Sequence, residues 1–240
     1  MGKAGRAVCL VAPMALTIAS LICLVLVIVG QLSTNNKAPP TLAGRELYFL
    51  KADTSKSKNT GDEISIKDFY LVGLWSYCEG DNTSGIEETT YCSSPTTSFW
   101  FNPIDVWGLR NTSALNVHRD HLQKGLDAYR KVVGWMSCSF IVATILTAAE
   151  FVTSFFTCFT RKASMLTLIL SVTSSIFAIV AATIATAAYG VLTGTFHTAL
   201  ASWNINVSMG KELLLVLWLG VALRVASGPF WLPTLCCCKP

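Results

Sequence analysis

The sequence predicts an α-helical membrane protein, built as a four-transmembrane-helix bundle with a small disulfide-stapled extracellular antiparallel β-sheet and one extracellular helix. Three observations predict this fold. First, the 240 residues are 52% hydrophobic and only 13% charged, whereas soluble domains carry about 25% charged residues. Second, four long apolar segments surround a polar stretch that holds all but two of the 14 Asp and Glu residues. Third, that polar stretch contains one close pair of cysteines.

The four apolar segments predict four spans. A bilayer core of about 30 Å is crossed by about 20 helical residues, and helices satisfy their own backbone polar groups in lipid. The predicted transmembrane helices are 7–32, 132–159, 164–197 (with an outer extension) and 212–232. The remaining segments are a cytoplasmic N-terminus (1–6), extracellular loop 1 (33–131, ending in a helix over 113–131), a cytoplasmic turn (160–163), extracellular loop 2 (198–211) and a cytoplasmic Cys-rich tail (233–240).

The short segments also predict the orientation, because cytoplasmic loops carry an excess of Lys and Arg. Basic residues without an acid occur before the first span, between the second and third, and after the fourth, namely Lys3, Arg6, Arg161, Lys162 and Lys239. Both termini are therefore predicted to be cytoplasmic. Three N-glycosylation candidates, Asn82, Asn111 and Asn206, all fall on the predicted outside and agree with this orientation.

The cysteines sort by compartment. Cys78 and Cys92 are the two predicted to lie outside, in oxidising space, so we predict a disulfide between them. Closing a loop of about 15 residues contributes roughly 3 kcal/mol in the chain-entropy model. Three neighbouring thiols at the inner membrane face, Cys236, Cys237 and Cys238, favour palmitoylation. The alternative is a metal site, but no His or acid accompanies them.

Within loop 1 the residue pattern predicts a small sheet. Strands are expected at Glu46–Lys51, Ile64–Ser76 and Tyr91–Phe101, with a solvated excursion over Glu79–Thr90. After the cap signals at Asn111–Ser113, apolar residues recur at helical spacing and predict an amphipathic helix that continues into the second span. His118 and His121 lie on this helix as a solvated pair or, alternatively, as metal ligands.

Two charges lie inside predicted spans, Glu150 and Arg224. Because such charges are costly in lipid, they usually pair or mark a conduction path. We predict a structural ion pair, with a snorkelling Arg224 as the alternative.

A ladder of small residues marks the third predicted span, and small residues let helices approach closely in lipid. It could contact a neighbouring span or a second copy of the chain. Its members are Ala178, Ala182, Thr186, Gly190 and Gly194.

The run Asp68–Gly80, with Gly73-Leu74-Trp75 and then Cys78, resembles the fungal Sur-seven/PalI family of claudin-like four-span membrane proteins. So do Tyr91–Pro95, which contains Cys92, and Phe99–Pro103, and the upstream Leu47–Lys51 looks like that family's first extracellular strand. The resemblance implies a plasma-membrane protein of the cell cortex, associated with furrow-like domains (eisosomes), cell-wall organisation, endocytosis or ambient-pH signalling. In the claudin-like pattern, Trp75 packs at the foot of the sheet next to the membrane surface.

We therefore predict a non-enzymatic plasma-membrane protein that organises cortical domains, with no catalytic residue, metal or cofactor. Its expected partners are membrane lipids, further copies of itself and other cortical membrane proteins, and not nucleic acid. One alternative is an accessory role in ambient-pH signalling of the PalI kind. The other is a cell-contact or fusion role, in which Phe99–Phe101 and Trp107 would form an exposed apolar patch. Packing of these aromatic residues onto the sheet is the competing interpretation.

Overall fold

The computed structural model of the chain describes residues 3–30, 46–56, 66–83, 85–108, 119–157, 160–199 and 204–237. Its helices are α1 (Lys3–Val29), α2 (Pro103–Val106), α3 (Arg119–Ser154), α4 (Arg161–Ala199) and α5 (Lys211–Cys237). Its strands are β1 (Leu50–Asp53), β2 (Phe69–Val72), β3 (Tyr77–Thr83), β4 (Ile86–Cys92) and β5 (Asn206–Met209). The predictions at Asn111, His118 and Cys238, and at the side chains of His121, Cys236 and Cys237, lie outside the described part.

Four of these helices are long and apolar enough to cross a membrane. The stretches that qualify are Val11–Val29, Gln123–Ser154, Lys162–Thr198 and Lys211–Trp231. Because about 20 helical residues suffice for a bilayer core, α3 and α4, with 36 and 39 residues, are longer than a span requires. The fold is that of a multi-pass membrane protein.

Helix α3 differs from its prediction at its end. From Arg119 onward, the helix predicted at the end of loop 1 and the second span form one continuous helix, which ends at Ser154 and not at residue 159. Hydroxyl groups account for this end, because Ser154 Oγ donates to Phe151 O (2.6 Å) and Thr157 Oγ1 donates to Ser154 O (2.7 Å). Such bonds compete with the helical ladder and tighten the last turn.

The strands form one five-stranded antiparallel sheet in the order β4-β3-β2-β1-β5. Its last member, β5, comes from the segment between the third and fourth spans and pairs with β1, with Leu50 opposite Met209. The sequence predicts only a loop there, since four partly polar residues carry little strand signal. Gly210 follows β5 and precedes α5, and its N–H donates to Phe49 O (3.0 Å). A Cβ at Gly210 would lie 1.7 Å from Tyr48 O, so the backbones meet there without room for a side chain.

Two sequence predictions in loop 1 were wrong. The acidic stretch Glu79–Thr90 forms the hairpin of β3 and β4 and is not an excursion, since its acids lie on a solvated strand and Gly85 turns the chain at φ 88°. The strand predicted over Tyr91–Phe101 ends at Cys92. Pro95 removes a backbone donor, and Ser98 adopts φ 62°, so the segment that follows cannot extend the ladder.

The chain divides into two compact units. The sheet unit comprises Ile28–Ser137 and Ile184–Leu214, and its buried side chains include Phe49, Tyr70 and Trp107. The helical unit comprises Met1–Val27, Cys138–Thr183 and Leu215–Pro240, and its buried side chains include many Ser and Thr hydroxyls, Glu150 and Arg224 as well as apolar groups.

Candidate functional site: the glycine-leucine-tryptophan turn and its supports

The segment Gly73–Ser76, called here the motif turn, connects β2 to β3. The N–H of Gly73 donates to Ser76 O (2.9 Å), which closes the turn. Leu74 and Trp75 are buried, with 2% and 8% of their surfaces exposed. Trp75 O also accepts a hydrogen bond from the N–H of Thr96 (2.9 Å), so the segment after β4 is held against the turn.

Trp75 joins the motif turn to helix α1. Its indole Nε1 donates to Ile28 O at 3.0 Å. Because α1 ends at Val29, this carbonyl is one of the last four of the helix, which have no partner within the helix. The tryptophan of the motif therefore caps the end of α1, and its ring is buried in the sheet unit.

Gly73 joins the same turn to α4 and α3. Tyr189 of α4 donates its hydroxyl to Gly73 O (3.2 Å), and the hydroxyl of Tyr129 of α3 donates to that of Tyr189 (3.4 Å). The ring of Tyr189 stacks on Phe49 with centroids 4.5 Å apart. Sequence reasoning missed Tyr189. The available signal was a single tyrosine among the small and aliphatic residues of the third span, since a buried hydroxyl needs a partner.

The disulfide confirms the cysteine prediction. Cys78 and Cys92 are bonded and lie directly opposite each other on β3 and β4, and both are buried. The bond lies two residues beyond the motif turn and fixes the register of the hairpin. The disulfide after the turn and the hydrogen bonds of Gly73 and Trp75 within it thus hold the conformation of the turn.

The hairpin β3–β4 bends at Gly80, where the register shifts between Glu79 and Gly80. A Cβ at Gly80 would lie 2.2 Å from Glu88 O and 2.5 Å from the ring of Phe69, so this bulge requires glycine.

Two ion pairs hold the bent hairpin against the rest of the sheet. Lys51 of β1 contacts Glu87 (2.5 Å), and Lys67 contacts Asp81 (2.7 Å). The hydrogen bond with Asp81 raises the pKa of Lys67. Burial raises the pKa of Glu79 above 4.5, and burial also raises the pKa of Tyr70 to about 12. The hairpin thus carries both satisfied surface pairs and one partly buried acid.

The aromatic residues after the disulfide are mostly packed. Phe101 and Trp107 are buried, and the Trp107 ring lies 5.6 Å from Tyr70 and 6.4 Å from Phe196. Trp100 is half-buried beneath Arg130, whose guanidinium is 5.1 Å from the ring centroid. These contacts agree with packing onto the sheet and do not form the exposed patch that a contact or fusion role would use.

The helical unit contains the polar cluster around Glu150 and Arg224, both fully buried. Arg224 Nη2 contacts Glu150 Oε2, and Arg224 Nε donates to Ser174 Oγ at 2.8 Å. Glu150 Oε1 accepts from Trp231 Nε1 (2.8 Å) and from Thr17 Oγ1 (3.4 Å). The cluster therefore draws one side chain or more from each of α1, α3, α4 and α5. Arg224 faces its carboxylate partner, so the snorkelling alternative does not describe this structure.

The five small residues of the predicted ladder on α4 lie in different environments. Ala178 and Ala182 are buried in the helical unit, and Thr186 is half-buried. A Cβ on Gly190 or Gly194 would meet no atom of the described residues within 4 Å, so these two glycines are not required for helix contact within that part of the chain.

A close helix contact in the helical unit lies instead at Gly220 of α5. Its Cβ would be 2.8 Å from Cys23 Cβ, and its carbonyl accepts from Ser20 Oγ (2.9 Å). Sequence reasoning missed Gly220, because a lone glycine has no repeat to mark it.

The modification candidates lie as follows. Asn82 is exposed at the β3–β4 turn, where its Oδ1 accepts from the N–H of Gly85 (3.0 Å), and Asn206 is exposed on β5. Glycosylation of either remains a prediction, as does palmitoylation of the tail. Among the described residues, no group of three or more His, Cys, Asp or Glu side chains could hold a metal ion.

A four-span membrane protein with a small antiparallel sheet, stapled by a disulfide beside a Gly-Leu-Trp turn, is a claudin-like protein. The sequence pattern of the SUR7/PalI family matches residues 9–229, and the chain belongs to this family. It is similar to the SUR7 family protein pun1 of Schizosaccharomyces pombe, with 26% identity over 171 residues. That match covers 69% of this chain and 59% of pun1.

Proposed function

We propose that this protein is a non-enzymatic structural component of the plasma membrane that organises cortical domains of the eisosome type. In this role it contributes to cell-wall organisation or endocytosis, with the sheet outside the cell and both termini in the cytoplasm. The observation that carries the proposal is the family match across residues 9–229, which includes the sheet, the first three spans and all but the last two residues of the fourth. Because the alignment covers 59% of pun1, no activity of that protein is carried over.

The supports of the motif turn favour a scaffold. Three anchors, at Trp75, Tyr189 and Tyr129, join the turn to the end of α1, to α4 and to α3 within the sheet unit. A surface that is already ordered loses little conformational freedom when it binds. A pre-ordered sheet of this kind suits a protein that holds neighbours in a static membrane domain.

The test is live-cell imaging of the full chain, tagged with a fluorescent protein and expressed in fission yeast. We expect patches along the cell cortex that stay in place, with slow recovery after photobleaching. A four-span protein from outside the family, carrying the same tag, is the control and should be uniform and mobile. Uniform fluorescence with recovery as fast as this control would refute the proposal.

Two further observations separate the other roles. Loss of the response to alkaline medium when the gene is deleted from its native host, where the tagged protein forms no static patches, would support ambient-pH signalling instead. Enrichment at zones of cell–cell contact would support a contact role. Each outcome contradicts cortical organisation, because each places the protein or its effect elsewhere.

A further inference from the structure

The sheet unit has an apolar groove between α3 and α4 with a volume of about 280 Å³. Ala128 and Val132 line it from α3, and Ile184, Ala187 and Val191 line it from α4. Val132 and Val191 are exposed, with 37% and 58% of their surfaces accessible. The groove is not filled by the motif turn or its anchors, and no other described part of the chain occupies it.

The groove has a floor and a closed end. The ring of Tyr129 lines it, with the hydroxyl turned to Tyr189 at 3.4 Å. One turn before Ala128, a Cβ on Gly125 would lie 3.0 Å from Thr195, so α3 and α4 approach closely there. An elongated apolar group can therefore lie along the groove but cannot pass that end.

The groove lies at the level where the charges of α3 stop. Lys131 is the last charged residue before Glu150, and α4 carries no Lys, Arg, Asp or Glu between Lys162 and its end. In a span, this change marks the boundary between headgroups and hydrocarbon. Trp135, which is 72% exposed on α3, is the residue type enriched at that boundary.

Two exposed lysines border the groove on the same face of α3. Lys124 precedes Ala128 by four residues and Lys131 follows it by three, and such spacing places side chains on one helix face. Asp127 lies three residues after Lys124 and four before Lys131, so the same spacing places its carboxylate beside the two lysines. These three side chains together carry a net charge of +1 beside the groove.

We propose that this groove binds one glycerophospholipid molecule, with an acyl chain along the aliphatic walls and the phosphodiester at Lys124 and Lys131. A helix of a second copy would have to bury both lysines at its seam, which is costly in lipid. A phospholipid brings hydrocarbon at the level of Val132 and an anionic group that the lysine side chains reach by extending toward the start of α3. This inference does not depend on the proposed cortical role.

The experiment uses the full chain, delipidated in a nonionic detergent and incubated with palmitoyl-oleoyl phosphatidylcholine, with retained lipid counted by native mass spectrometry. Ala128→Phe fills the groove, and Ala222→Phe makes the same change at an exposed position of α5. We expect one retained lipid in wild type and in Ala222→Phe. Ala128→Phe should lower retention about tenfold, as expected when about two methylene groups lose their site. Equal retention in the two variants would overturn the proposal.

A second variant on the other wall keeps the test decisive if Ala128→Phe misfolds. Val191→Trp should lower retention as well, whereas Val172→Trp, at a similarly exposed position of α4, should not. Loss of a dimer in place of loss of the lipid adduct would assign the groove to a second copy and overturn the proposal.

The headgroup contact is tested separately. Lys124→Gln/Lys131→Gln should weaken retention of phosphatidylcholine about fivefold, and the exposed Lys211→Gln should not. Retention of diacylglycerol, which lacks the phosphodiester, should be unchanged by the double substitution. An equal loss of both lipids, or no loss of either, would contradict a phosphate contact at these lysines.

Discussion

Replacing Glu150 by Gln tests the buried ion pair most directly. Gln keeps an oxygen that can accept from Trp231 and Thr17, which lie 2.8 and 3.4 Å from Glu150 Oε1. The substitution therefore removes the charge and leaves the shape almost unchanged. Arg224, fully buried, loses its carboxylate partner.

The expected cost follows from the contacts that remain. Removing one partner of a buried pair costs about 3–5 kcal/mol, because the other charge is left uncompensated. Arg224 keeps Ser174 Oγ at 2.8 Å and Ser171 O at 3.4 Å, so we expect the lower end, about 3 kcal/mol for Glu150→Gln. Arg224→Gln should cost a similar amount, since it strands the carboxylate.

The double variant separates pairing from independent burial. If the charges compensate each other, Glu150→Gln/Arg224→Gln should lie within about 1–2 kcal/mol of wild type, far from the roughly 6 kcal/mol of additive costs. The measurement is the free energy of unfolding of each variant in mixed micelles, from titration with SDS. Glu212→Gln, an exposed acid at the start of α5, is the control and should change little. A double variant no more stable than either single variant would refute the reasoning.

Three further predictions concern the sheet unit. Trp75→Phe should cost about 1–3 kcal/mol, because it leaves Ile28 O without its donor, and Trp75→Ala about 3–5 kcal/mol; thermal melts with wild-type midpoints would contradict the cap. Gly80→Ala should cost about 1–3 kcal/mol, since its Cβ overlaps a backbone oxygen. Gly134→Ala, whose Cβ would meet an ordinary contact at 3.7 Å, should be tolerated. Burial raises the pKa of Glu79, so ionisation of this carboxyl group destabilises the folded state. The folded state is therefore most favoured while Glu79 is neutral, and that advantage is lost as the pH rises above about 4.5. Glu79→Gln should therefore gain thermal stability over wild type at pH 7 and not at pH 4; an equal difference at both pH values would argue against this.

The anchors of the motif turn show which features a local sequence pattern can predict. Gly73, Trp75 and the cysteine pair stand close together in the sequence, so a short pattern predicts them. The partners of these residues lie far away in the sequence, since Trp75 donates to Ile28 O and Gly73 O accepts from Tyr189. Neither partner belongs to a motif, because a carbonyl at a helix end and a single tyrosine look ordinary in sequence.

The glycines show the converse, that a regular sequence pattern need not mark a close contact. Gly190 and Gly194 stand in a regular ladder, yet among the residues that the structure describes no atom would meet a Cβ at either position. Gly80, Gly210 and Gly220 belong to no repeat, yet each stands where a Cβ would overlap a neighbouring atom. Spacing along one helix shows which residues share a face, but only the packing of another element decides which face is used.

The sequence by itself determined the four spans, the disulfide and the family, because hydropathy, compartment and a contiguous motif are local properties. Only the tertiary structure decided that β5 completes the sheet, that the acidic stretch folds as a bent hairpin, and that four helices meet at one ion pair. These features depend on contacts between residues far apart in the chain, such as Leu50 with Met209 and Glu150 with Arg224. The free energy of such contacts comes from burial and shape complementarity where two segments pack together. The sequence of either segment alone does not specify it.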